Sequence, residues 1–104
     1  MMRLRISRRA LHDLDEIFDY WARCAGLQVA DRLIEAIEDR FALLCEMPRI
    51  GRRCGEFGTG VRCFPAGKYL VYYRKTGGVL NILHVFHGHV FHGARDQARG
   101  FSRE

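Results

Sequence analysis

From Arg8 to Cys45 the apolar residues recur at spacings of three and four, and Gly26 alone interrupts the rhythm. Two consecutive helices with almost no chain between them are the reading that pattern forces. Leu11, Leu14, Ile17, Phe18, Trp21, Ala22 and Ala25 form the first stripe, with Asp13, Asp15, Glu16 and Asp19 on the opposite face, where they favour the positive N-terminal half of the helix. Ser7 stands where an N-cap belongs, and Gly26 tolerates the left-handed conformation that ends a helix. The second stripe is Ala30, Leu33, Ile34, Ile37, Phe41 and Leu44 over residues 27–45, and Pro48 blocks its continuation. A linker this short makes an antiparallel hairpin.

Strand-like segments flank the hairpin. Leu4 and Ile6 alternate with arginines in a short first strand. Met47 to Gly60, with Pro48 and four glycines, reads as a loop. Val61–Pro65, Lys68–Arg74 and Val79–His87 then form three runs joined by Ala66-Gly67 and Thr76-Gly77-Gly78, connections that suit tight hairpins. The economical architecture is α+β, in the order β-α-α-β-β-β, with the helical hairpin packed on one face of a mainly antiparallel sheet. At 104 residues the chain is read as a single domain over 1–104, with a flexible tail from about 94–104.

No apolar run reaches the roughly 18 residues of a membrane span, and Met1-Met2-Arg3-Leu4-Arg5 lacks a signal peptide's apolar block, so a cytoplasmic protein with no membrane partner is expected. Cys24, Cys45, Cys54 and Cys63 stand far apart without a Cys-x-x-Cys pair, and are read as reduced thiols filling space. The net charge of +5 is unevenly placed. Residues 1–46 hold seven Arg against nine acidic residues, while residues 47–104 hold eight Arg and two Lys against Glu56, Asp96 and Glu104. The C-terminal half is therefore suited to phosphates or an acidic partner, or carries a solvated basic surface.

Near the C-terminus a segment is written twice: His84-Val85-Phe86-His87-Gly88 and His89-Val90-Phe91-His92-Gly93, followed by Ala94-Arg95-Asp96. In an extended strand His87 and His89 share one face and His84 and His92 the other, so the four do not converge on one ion. Duplication explains their density, and no metal or other cofactor is expected. Five inserted residues displace the downstream chain by roughly 16 Å and, being an odd number, reverse the face of every later side chain. Either Gly88 turns the second copy away or the strand extends.

The chain resembles the ParE branch of the RelE/ParE toxins of bacterial type II toxin-antitoxin systems. Ser7 and Leu14-Asp15-Glu16-Ile17 carry the resemblance, with Leu43-Leu44 before Met47-Pro48-Arg49-Ile50-Gly51-Arg52. So do Gly60-Val61-Arg62-Cys63-Phe64-Pro65, Gly67-Lys68-Tyr69-Leu70-Val71-Tyr72-Tyr73-Arg74, and a last strand ending at His87-Gly88 before an Arg-Asp pair. It implies a growth-inhibiting toxin, of the kind that also stabilises plasmids, held inactive by an antitoxin from the same operon. ParE-type members are poisons of DNA gyrase with no established catalytic site; RelE-type members cut messenger RNA on the ribosome. Both a homodimer and a toxin-antitoxin heterotetramer are compatible with it.

Metal-free RNA cleavage needs a base for the 2′-hydroxyl, cations for the phosphorane and an acid for the leaving oxygen. Arg62, Tyr72, Arg74 and His87 are the candidates, provided that they converge. Tyr72 and Arg74 share a strand face and Tyr73 takes the other, and aromatic packing is the alternative use of these tyrosines. Both helices are acidic outside their stripes, unlike a nuclease's dense basic face, which favours the non-enzymatic ParE reading. Target contacts are then expected at Arg62, Arg74, His87 and Arg95. Phe18 and Trp21 are the expected antitoxin anchors if partly exposed, buried core being the other reading of their stripe position, in a groove beside the hairpin and an open sheet edge. A third reading is a member that binds antitoxin but has lost toxicity through the 84–93 repeat.

Overall fold

The computed structural model describes residues 2–87. Its elements are β1 (Arg3–Ile6), α1 (Arg8–Ala25), α2 (Leu27–Glu46), β2 (Arg52–Arg53), a 3-10 turn (Gly55–Phe57), β3 (Val61–Ala66), β4 (Tyr69–Thr76) and β5 (Val79–His87). The strands form one sheet in the order β1-β5-β4-β3-β2, antiparallel except where β1 pairs with β5. The expected α+β architecture is present, with both helices on one face. The second repeat copy, Arg95 and the tail from 94 lie outside the described residues.

Two single residues set the joints. The Ser7 hydroxyl accepts the Ala10 N–H at 3.0 Å as the N-cap of α1, and donates to Leu83 O at 3.0 Å, while the Ser7 N–H bonds Ile82 O at 3.0 Å. One residue thus ends β1's pairing with β5 and starts the helix. Gly26, at φ +99°, donates to Ala22 O and accepts from Ala30 N, so it closes α1 and opens α2 together. That geometry turns the chain back without a loop.

Between the helices and the sheet lies the main core, built from Leu14, Ile17, Ile37, Phe41, Leu44, Val71, Tyr73, Leu80 and Ile82. A smaller cluster occupies the opposite face, where Cys54, Val61, Cys63, Leu70 and Tyr72 are partly roofed by Phe57 of the 3-10 turn. Strand alternation explains the split: residues 69, 71 and 73 of β4 face the helices, and residues 70 and 72 face away. Tyr72 and Tyr73 do take opposite faces, as their parity required.

Three details depart from the expectations of the sequence. The 47–60 segment is not all loop, since Arg52 and Arg53 pair with Cys63 and Arg62; two residues are too few to show a period. In β5 the register slips by one, Tyr72 pairing with His84 and Tyr73 with Ile82, so Leu83 is the extra residue of a β-bulge. Asp13, assigned to the solvent face of α1, is only 8% exposed. Among the cysteines Cys45, Cys54 and Cys63 are buried, whereas Cys24 is exposed.

Candidate functional site

The basic and aromatic residues singled out in the C-terminal half divide into two places. The first is the corner where β3 and β4 meet residues 47–53. Arg62 pairs with Tyr73 across the β3–β4 ladder, and alternation turns it toward the helix side. Its Nη1 donates to Gly51 O at 2.7 Å and to Arg49 O at 3.2 Å. Tyr73 is fully buried; its hydroxyl donates to Pro48 O at 2.8 Å and accepts the Gly51 N–H at 2.9 Å. Gly51 is required here, because a Cβ would press on the Tyr73 ring and stand 2.9 Å from Cys63 O. Arg74, on the opposite face, donates to Thr59 O at 3.2 Å. Side chains thus satisfy the carbonyls of a segment with little ladder of its own.

Tyr72 is buried between the edges of Phe57 and Phe86, with ring centroids 5.2 and 5.5 Å away. Burial, followed by the nearby sulfurs of Cys63 and Cys54, pushes its phenol well above the usual tyrosine range. Burial also raises the Tyr73 phenol, partly offset by the Gly51 N–H and Arg62. Neither is placed to act as a base. His87 lies at the far end of the hairpin, paired with Tyr69, while Arg74 pairs with Asn81. Five positions along β4, roughly 16 Å, separate those rungs. Arg62, Tyr72, Arg74 and His87 do not form one site.

The second place is a groove of about 600 Å³ between α1 and the end of β5. β1 ends at Ile6 opposite Ile82, and beyond that point α1 meets the β5 edge. Asp13 Oδ2 accepts the Val85 N–H at 2.9 Å and lies 2.5 Å from His84 Nδ1, and Arg9 Nε stands 3.7 Å from Asp13 Oδ1. Among the described residues no strand pairs with β5 there, and one carboxylate takes that place. His84 stacks on Phe86 at 3.8 Å between centroids. Trp21 Nε1 donates to the Tyr69 hydroxyl at 2.8 Å, and the Tyr69 ring meets His87 edge-on at 5.0 Å. Lys68 and Glu16 complete the rim.

Of the anchors expected on α1, both are half-buried: Trp21 lines this groove and packs on the core, while Phe18 is not among the lining residues. Asp13 and His84 were missed as partners because 71 positions separate them. A signal existed, since Asp13 stands three residues after buried Ala10 and four before buried Ile17, on the helix face that must pack inward. Across the described residues no helix is long and apolar enough to cross a membrane.

Comparison with known proteins agrees with the fold. Residues 4–90 match the family described as ParE toxin of type II toxin-antitoxin system, parDE. Toxin ParE1 of Mycobacterium tuberculosis is 31% identical over 86 residues, covering 82% of this chain and 88% of that protein. Toxin ParE3 of Caulobacter vibrioides is 32% identical over 88 residues, covering 85% and 88%. A solved structure titled Chromosomal ParDE TA system from P. aeruginosa superposes with a TM-score of 0.73 at 25% identity, covering 84% of this chain and 96% of that one.

Proposed function

Because the chain belongs to the ParE toxin family of type II toxin-antitoxin systems, we propose that it inhibits growth by poisoning DNA gyrase, without catalysing a reaction of its own, and that a cognate antitoxin neutralises it. The observation that carries the choice against messenger-RNA cleavage is the dispersal of Arg62, Tyr72, Arg74 and His87 over two sheet faces and two ends of a hairpin. Acid-base chemistry on one phosphodiester needs its groups within hydrogen-bond reach of the same atoms. Target contacts are assigned to Arg62, Arg74 and His87, with Arg95 in the tail.

The antitoxin is assigned to the groove beside α1. Past Ile6 no strand among the described residues pairs with this edge of β5, and half-buried Trp21 and Phe86 offer aromatic surface there for an apolar anchor. Exposed Asp15, Glu16 and Asp19 on α1, with Asp31, Glu35, Glu38 and Asp39 on α2, suit basic antitoxin side chains.

Purified toxin should block gyrase supercoiling and accumulate cleaved DNA while ribosome-bound message stays intact. Cleaved message with normal supercoiling would transfer the assignment to the RelE-like nuclease. The altered-toxin reading has a specific motive, since the family match ends at residue 90, inside the second copy of the repeat. Deleting residues 89–93 is therefore the companion test. Toxicity that appears only after deletion supports loss of function through the repeat; equal toxicity before and after removes it.

A further inference from the structure

The smaller apolar cluster contains two thiols whose chemistry the proposed activity does not use. Cys54 Sγ and Cys63 Sγ lie 2.9 Å apart, and both side chains are buried. A disulfide holds its sulfurs at about 2.05 Å, so closure asks for a movement of under ~1 Å. Backbone pairing brings the two together: Cys54 N–H donates to Val61 O at 2.8 Å, and Cys63 pairs with Arg52 one rung beyond the Arg53–Arg62 pair. The chain joining them contains only the 3-10 turn Gly55–Phe57 between β2 and β3.

We propose that Cys54 and Cys63 are a redox modification site, closing to an intramolecular disulfide by exchange with a low-molecular-weight disulfide of the glutathione class. Cys63 attacks first, because Arg52 Nη2 lies 3.4 Å from its sulfur and stabilises the negative charge that develops there. Its proton is lost, a mixed disulfide forms, and one thiolate of the small molecule leaves and is protonated. Cys54 then gives up its proton and attacks the Cys63 sulfur, expelling the second small thiolate, which is protonated in turn. Two protein thiols and one small disulfide become one protein disulfide and two small thiols. Burial, then the hydrogen bond to Cys63, pushes the Cys54 thiol up to about 12, which keeps it protonated until Cys63 has reacted. The closed bond ties the 3-10 turn to β3, beside the carbonyls of Arg49 and Gly51 that Arg62 holds. Oxidation thereby stiffens the arginine-bearing corner.

The test uses the full chain, folded and dilute, incubated with glutathione disulfide, alkylated, and digested with trypsin without reduction. Cleavage after Arg53 and Arg62 sends the two cysteines into different peptides, residues 54–62 and 63–68. These two peptides are expected joined as the main oxidised product, separable by dithiothreitol and unaffected by Cys24→Ser. In that background oxidation should raise the melting temperature by roughly 5 °C. Cys54→Ala should leave a mixed disulfide on Cys63 and no rise; Cys54→Ser serves if the alanine variant does not fold. Alkylation of both cysteines, with modification confined to exposed Cys24 or to Cys24-linked dimers, overturns the proposal. An oxidised protein that melts with the reduced one overturns the stiffening.

Discussion

The two flanks of the β4–β5 hairpin, toward β3 and toward α1, carry similar side chains and use them differently. On the β3 flank, at Arg62 and Tyr73, the polar atoms bond the carbonyls of Pro48, Arg49 and Gly51 and the Gly51 N–H. Beside Asp13 and His84 they support the wall of a groove, leaving Trp21, Tyr69, Lys68 and His87 along its lining. What separates the two is the demand of nearby backbone. A segment of two ladder residues and one 3-10 turn has many unsatisfied peptide groups, and it recruits arginine and tyrosine to meet them. Alongside a regular helix and strand, the described end of β5 needs less of this help, and the Asp13 carboxylate and the Ser7 hydroxyl supply it. Abundance of basic and aromatic residues is therefore a poor guide to a site.

The sharpest way to break this contrast is Asp13→Ala, which leaves the Val85 N–H and His84 without the carboxylate that faces them. A loss of about 3 kcal/mol is expected in urea unfolding, the cost of removing one partner from a buried polar pair. Groove and stability should fail together; a loss below about 1 kcal/mol would mean that water replaces the carboxylate freely. Tyr73→Phe attacks the other flank. It removes one donor and one acceptor while keeping the ring, and about 2 kcal/mol should be lost because the Gly51 N–H is left buried. Wild-type stability in that variant would show that residues 48–51 do not depend on the phenol.

Much of the fold was legible because it rests on local periodicity. The stripes of α1 and α2, the Ser7 cap, the Gly26 joint and the three later strands all declare themselves within a few residues of chain. Long-range relations were not legible. Nothing local says that Asp13 will meet His84, that Leu83 will bulge, or that Arg62 will turn its guanidinium onto Gly51 O. A stripe assigned from apolar residues alone also treats every carboxylate as solvent-facing, which puts Asp13 on the wrong side. Site candidates picked by residue type carry the same weakness, because residue type does not reveal competition from backbone.

Alkaline pH separates the two regions with a smaller effect. Cys54, Tyr72 and Tyr73, all at or beside the arginine corner, have folded-state values raised by burial. A raised value means that the neutral form is the one the fold accommodates, so this stability is complete below the unfolded value and is lost as pH climbs toward the folded one. For Cys54 the window runs from 9.0 to about 12. The melting temperature should fall on the order of 5 °C from pH 8.5 to pH 10.5. Amide exchange in residues 47–63 should quicken before exchange in α1. Earlier loosening of α1 would reverse the comparison.

Arg74→Ala is the mildest change and the most direct reading of what the arginine corner does for toxicity. Its bond to Thr59 O, at 3.2 Å, is exposed to solvent, so the loss of stability should stay below about 1 kcal/mol. Arg62 is less suited to the purpose, since its bonds to Arg49 and Gly51 make any loss of activity inseparable from loss of the corner. If Arg74 contacts the target, gyrase inhibition should weaken by roughly tenfold while the melting temperature stays within about 2 °C of wild type. Full inhibition by a normally stable variant would make Arg74 a loop-holding residue only. The basic half of the chain would then serve architecture at this corner, and target contacts would fall to His87 and the Arg95 tail.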